Sequence, residues 1–182
     1  MPSLGIGSAV QLPDQCSASG LCATINFTSD FSAGVGNAAA GGNILGEDTN
    51  LTISGNIDGI GGRDDNLRLR FSYTSGITPS SRAVNVLTAP LSAGCTYNVS
   101  FSYFFANTNV NANKLNEIVL GGATHVDPDG GSGKSLNTWH DFSATGFVAG
   151  GSRGIIFKFP YDDDDDSVDE VVYLRNIRIV NP

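Results

Sequence analysis

The sequence has little with which to do chemistry. Its 182 residues include two histidines, His125 and His140, one tryptophan, Trp139, and three cysteines. Neither histidine has a cysteine or a second histidine at zinc-ligand spacing. No G-x-S-x-G elbow, P-loop or dinucleotide glycine fingerprint occurs in a strand–turn–helix setting. Gly-rich pieces such as 59–62 fall between strand signals and read as turns. A glycosidase needs two carboxylates flanking a cleft, but with 18 acidic residues some pair is always to be had, so their number points to nothing. The chain is read as non-enzymatic.

Long hydrophobic runs are absent as well. No stretch approaches the roughly 20 apolar residues that span a bilayer, so no membrane insertion is expected. Residues 1–12 lack a basic n-region and a compact h-region; we read a leader as removed and Met1 as added, or the chain as trimmed. Positive charge is scarce: ten Lys and Arg face 18 acids, for a net charge of −8. Seven of those acids lie within 162–170, and outside that window 11 acids meet 10 bases. The acidity is therefore local, and the near-neutral remainder gives nucleic acid or an anionic membrane little to hold.

Long stretches of Leu, Ala, Glu and Lys are missing too, which argues against helices. What the chain has instead is 40% hydrophobic residues, 23 glycines and many Asn, Ser and Thr between short apolar runs. Strand-like runs occupy 24–28, 50–54, 66–74, 82–88, 96–106, 115–120, 138–145, 154–159 and 172–180. Nine short strands separated by turn residues predict an all-β, two-sheet antiparallel β-sandwich of the jelly-roll kind. One such domain fits 24–182, behind an N-terminal arm of 1–23 that carries a Cys loop.

Two runs alternate clearly. Leu67, Leu69, Phe71 and Tyr73 point one way, Arg68, Arg70, Ser72 and Thr74 the other. Tyr97, Val99, Phe101, Tyr103 and Phe105 alternate with Asn98, Ser100, Ser102, Phe104 and Ala106. The second set is polar and should face water, which leaves Phe104 as an aromatic on the wet face, a local break of the kind that marks binding surfaces.

Extracellular placement follows from the sequons and cysteines. Asn26, Asn50 and Asn98 each open an N-x-[ST] glycosylation acceptor. Cys16 and Cys22 could close a small loop, or Cys22 and Cys95 could tie the arm to the core; either way one thiol is left over. A secreted glycoprotein is the expectation.

The segments RAVNVLTAPLSAGCTYNVSFSYFF, NEIVLGG, TWHDFSATGFVAGGSRGIIFKF and VVYLRNIRIV, in that order, resemble carbohydrate-binding modules of the CBM4/9 type. The resemblance covers about two-thirds of the chain. It implies a galactose-binding-like jelly roll in a secreted protein that binds glycan without catalysis. It departs from the family at Arg175 and Asn176, where acidic residues are frequent, so it brings no calcium ligand to that position.

Sugar binding needs an exposed ring beside planar hydrogen-bonding groups. Phe104 with Arg68 and Arg70 is the expected site, provided their strands are neighbours, and Tyr161 is a further exposed candidate. Trp139 opens a strand and is expected in the core. The acidic run is read first as a solvated loop. Asp162, Asp164 and Asp166, with Asp127 and Asp129, are nevertheless the candidate oxygen ligands of a structural calcium ion. A rival reading makes the chain an extracellular assembly subunit: an adhesin segment, or a cell-wall or filament protomer. There Leu4, Ile6, Ala9, Val10 and Leu12 of residues 1–14 would add a strand to a neighbour and drive self-association.

Overall fold

A computed structural model describes residues 22–34, 38–40, 51–55, 65–71, 82–107, 115, 117–125, 128, 133–159 and 170–182. Among them are eleven strands and no helix: β1 (Asn26–Thr28), β2 (Ala38–Ala40), β3 (Leu51–Ser54), β4 (Leu67–Phe71), β5 (Arg82–Pro90), β6 (Thr96–Asn107), β7 (Glu117–Leu120), β8 (Ala123–His125), β9 (Trp139–Val148), β10 (Arg153–Phe159) and β11 (Glu170–Val180). All nine expected strands are present. The two extra ones, β2 and β8, are three residues each and too short to show a period.

One antiparallel sheet runs β3-β4-β11-β6-β9, with β1 also on β11; the other runs β2-β5-β10-β7-β8. From β4 onward the chain crosses repeatedly between the sheets, placing β4, β6, β9 and β11 in the first and β5, β7, β8 and β10 in the second. This is the alternation of a jelly roll, and the molecule is an all-β sandwich.

Alternation puts the core where the sequence places it. Leu67 and Leu69 of β4, Tyr97, Val99, Phe101, Tyr103 and Phe105 of β6, and Val172, Leu174, Ile177 and Ile179 of β11 all face inward and are buried. They meet Val84, Val86, Ile118, Leu120, Ile155, Phe157 and Phe159 of the second sheet. Phe101 is the hinge of this packing. Its ring stacks on Phe142 at 4.9 Å and meets Phe157 of the opposite sheet edge-on, also at 4.9 Å.

Residues 22–29 are stitched to the far end of the chain. Asn181 accepts from the Ile25 amide at 2.6 Å and donates to the Ala23 carbonyl at 3.2 Å. The Ser29 hydroxyl accepts from the Ile177 amide at 3.0 Å, and the Ser92 hydroxyl accepts from the Ala23 amide at 2.9 Å. A disulfide joins Cys22 to Cys95, with Cα atoms 5.7 Å apart across 73 residues of sequence. Of the two pairings the sequence allowed, this is the one formed; Cys16 lies outside the described residues. Just beyond β1, Asp30 accepts from the hydroxyl and amide of Ser32 at 2.6 and 2.9 Å, and the hydroxyl, then the amide, holds its carboxyl below the usual value.

Candidate binding face on the outer side of the first sheet

The registers of the first sheet set its outward side chains in rows. Ser54 is opposite Arg68, Arg68 opposite Tyr173, Tyr173 opposite Phe104 and Phe104 opposite Trp139. One row thus crosses five strands, about 19 Å at the usual strand spacing. On one side of it, Thr52, Arg70 and Val171 form the next row. On the other side follow Arg175, Ser102 and Asp141, and then Thr28, Arg178, Ser100 and Ser143.

Phe104, Arg68 and Arg70 do share a face, although their strands are not neighbours. β11 lies between β4 and β6 and inserts Tyr173, whose ring meets Phe104 edge-on at 5.8 Å. Phe104 is outward, as its place among Asn98, Ser100 and Ser102 requires, but it is not wet. It retains 9% of its exposure and Tyr173 7%, in a satellite cluster with Val171 and the partly buried Ala106 and Trp139. Phe104 is a floor, not a platform.

Trp139 corrects a second expectation. It belongs to the outer face, not the core, because its partner is Phe104, with ring centroids 5.4 Å apart. The signal was in the sequence: Phe142 packs inward, so alternation sends Asp141 and Trp139 outward and His140 inward, where it lies 5.5 Å from the Tyr103 ring. A short turn sets Trp139 in place. Asn137, at φ 55°, donates its amide to the Phe105 carbonyl at 2.8 Å, and His140 Nε2 lies 2.9 Å from the Ser135 carbonyl oxygen. The Arg175 guanidinium sits over the Trp139 ring, 3.7 Å from its centroid.

Arg175 and Arg178 were missed as members of this face for a definite reason. Three apart, they would point to opposite sides of a regular strand. Between them β11 advances three residues while β6 advances two, from Ser102 to Ser100. This bulge, with Asn176 at φ 53°, turns Ile177 inward and both arginines outward. In the next strand the Ser102 hydroxyl donates to Asp141 at 2.6 Å. Arg68 Nε and Trp139 Nε1 are covered donors that meet no acceptor among the described residues.

The remaining candidates divide plainly. Tyr161, Asp127, Asp129, Asp162, Asp164, Asp166, Asn50 and residues 1–14 lie outside the described residues. Among the described residues no three His, Cys, Asp or Glu side chains converge. Asn26 is exposed on β1, while Asn98 sits half-buried in mid-sheet with its Oδ1 covered. The two share a row with Val180 between them.

No protein-family model matches the chain, nor does any curated protein. Solved structures do match. The K1 cleaved adhesin domain of Lys-gingipain from Porphyromonas gingivalis aligns over 87% of this chain and 99% of its own, with 12% identity and a TM-score of 0.50. The CBM22-1 xylan-binding domain of Paenibacillus barcinonensis Xyn10C aligns over 87% and 95%, with 11% identity and a TM-score of 0.50. The tandem CBM22 domain of the same protein aligns over 86% of this chain and 49% of its own, at 18% identity and a TM-score of 0.50. These neighbours carry the CBM22 and adhesin names and not the CBM4/9 type suggested by the motifs, and what the chain shares with them is the β-sandwich fold.

Proposed function

We propose that the chain is a secreted, non-catalytic carbohydrate-binding module that receives glycan on the outer face of its first sheet. The observation that carries this is the row Arg68–Tyr173–Phe104–Trp139, a partly exposed indole beside an aromatic floor with the Arg175 guanidinium over one of its faces, flanked by hydroxyl and carboxylate groups. A pyranose offers an apolar ring face and equatorial hydroxyls, and such a surface offers partners for both. The xylan-binding neighbours support the reading at the level of fold, and fold alone does not confer function. Secretion is supported by the Cys22–Cys95 bond, which persists in oxidising compartments. Affinity should be modest, since the face is broad and solvent-fronted.

The test is a glycan array of the folded protein beside Trp139→Ala. Binding that drops tenfold or more in the variant, with its melting transition retained, supports the reading. Equal binding by both proteins would move the site off this face.

Assembly through residues 1–14 is the second reading. Its support is β1, a three-residue strand paired with β11 and, among the described residues, with no other strand. The disulfide fixes Cys22, just ahead of β1, to Cys95. Deleting residues 1–14 separates the two readings: loss of polymers with glycan binding intact would favour assembly.

A further inference from the structure

Resting on that reading of the face, we infer that Arg175 is a displaceable cap on Trp139: its guanidinium holds the indole face on which a sugar ring stacks, and glycan binds by lifting it. The guanidinium carbon lies 3.7 Å from the ring centroid. A stacked pyranose needs the same separation, about 3.5–4 Å between carbon atoms. The two exclude each other on that face. The route of the side chain is informative. Arg175 starts from β11 opposite Ser102 of β6, whereas Trp139 belongs to β9 and to the next row. To reach the ring, the arginine has to cross β6. Ser102 registers that crossing, for it points outward and is still only 5% exposed.

The cap is held in place, since Arg175 has an interaction besides the ring. Against that, the capped state leaves Trp139 Nε1 covered, with no acceptor among the described residues. An unmet covered donor costs about as much as a partly exposed cation–π contact contributes. Capped and uncapped states are therefore close in free energy, and an arriving sugar is enough to tip the balance. Lifting the guanidinium opens a stacking face beside Asp141, an exposed carboxylate. Asp141 accepts from the Ser102 hydroxyl and keeps further lone pairs for sugar hydroxyls. The sign of the effect of removing Arg175 follows. Apparent affinity scales with the uncapped fraction, so loss of the cap strengthens binding. An arginine that bonded the sugar directly would weaken binding when removed.

Trp139 is the only tryptophan of the chain, so its emission reports the cap without any ligand. Acrylamide, an uncharged quencher, is titrated into the wild type, Arg175→Gln, Arg175→Ala and Lys158→Gln, the last a charge control on the opposite sheet. Affinity electrophoresis of the same proteins is run on a neutral arabinoxylan and a mixed-linkage β-glucan, with melting curves to show that each is folded. We expect quenching to rise in both Arg175 variants, and affinity for at least one polymer to rise about threefold or more. Lys158→Gln should match the wild type in both. Unchanged quenching in a folded Arg175 variant overturns the inference, whatever the polymers do. So does raised quenching with affinity at or below the wild type's, and that result leaves the glycan-binding reading standing. Unfolding of both Arg175 variants would make the arginine a structural prop and also overturns the cap. Neither polymer bound by any of the proteins would remove the function proposed for the face as well.

Discussion

The guanidinium of Arg175 lies 3.7 Å above the Trp139 ring, joining two strands, β11 and β9, that never pair because β6 runs between them. Contact at that distance combines cation–π attraction with burial of the arginine stem. A double-mutant cycle of Arg175→Ala and Trp139→Ala, followed by urea denaturation, should show a coupling of about 0.5–2 kcal/mol. Additive effects within error would mean that the two groups pack side by side without attraction.

The Cys22–Cys95 bond closes a loop of 73 residues around the start of the sandwich. Chain entropy assigns such a loop about 4 kcal/mol. The Cys22→Ala/Cys95→Ala variant should therefore melt well below the wild type. A midpoint unchanged by the substitution, or by reductant, would show that the hydrogen bonds of Ala23, Ile25 and Asn181 hold this segment unaided.

Inward and outward aromatics of one strand should respond differently. Phe101→Ala removes a ring at 2% exposure that bridges the sheets, and leaves a cavity, so the loss should be about 3–5 kcal/mol. Phe104→Ala removes a ring from the outer cluster, where neighbours and water can refill the space. Only the transfer part, about 2 kcal/mol, should appear. Denaturant midpoints compare the two directly, and equal losses would mean that the outer cluster is as tightly closed as the core.

Gly154 has φ 95°, and a Cβ there would come 2.8 Å from the Val86 carbonyl oxygen and into the Asn85 side-chain oxygen. The bulge that opens β10 depends on both features. Gly154→Ala should lower stability by about 1–3 kcal/mol. Combining it with Asn85→Ala should restore little, because the backbone oxygen and the dihedral remain; full recovery in the double variant would place the whole cost in the Asn85 contact.

Much of the fold was legible because the sandwich rests on alternation, a local property. Leu67, Leu69, Tyr97, Val99, Phe101 and Phe105 announce their side of the sheet by their polar neighbours, and they are the core. The strands that were not legible, β2 and β8, have three residues each and exist only because β5 and β7 lie alongside. The site was half-legible. Phe104 showed itself by breaking its strand's pattern, and Arg68 and Arg70 by keeping theirs. Trp139 was misjudged because a large apolar residue at a strand start looks like core until its neighbour Phe142 fixes the parity.

The sequence by itself determined the all-β class, the inward rows and the outward placement of Phe104, Arg68 and Arg70, since each follows from residues two apart on one strand. Only the tertiary structure decided that β11 would lie between β4 and β6, that Tyr173 would fill the gap, and that a bulge at Asn176 would bring Arg175 and Arg178 to the same surface. Strand order and register arise from pairings between residues as far apart as 68 and 173. Such pairings depend on how a whole core packs, and no short stretch of chain encodes them.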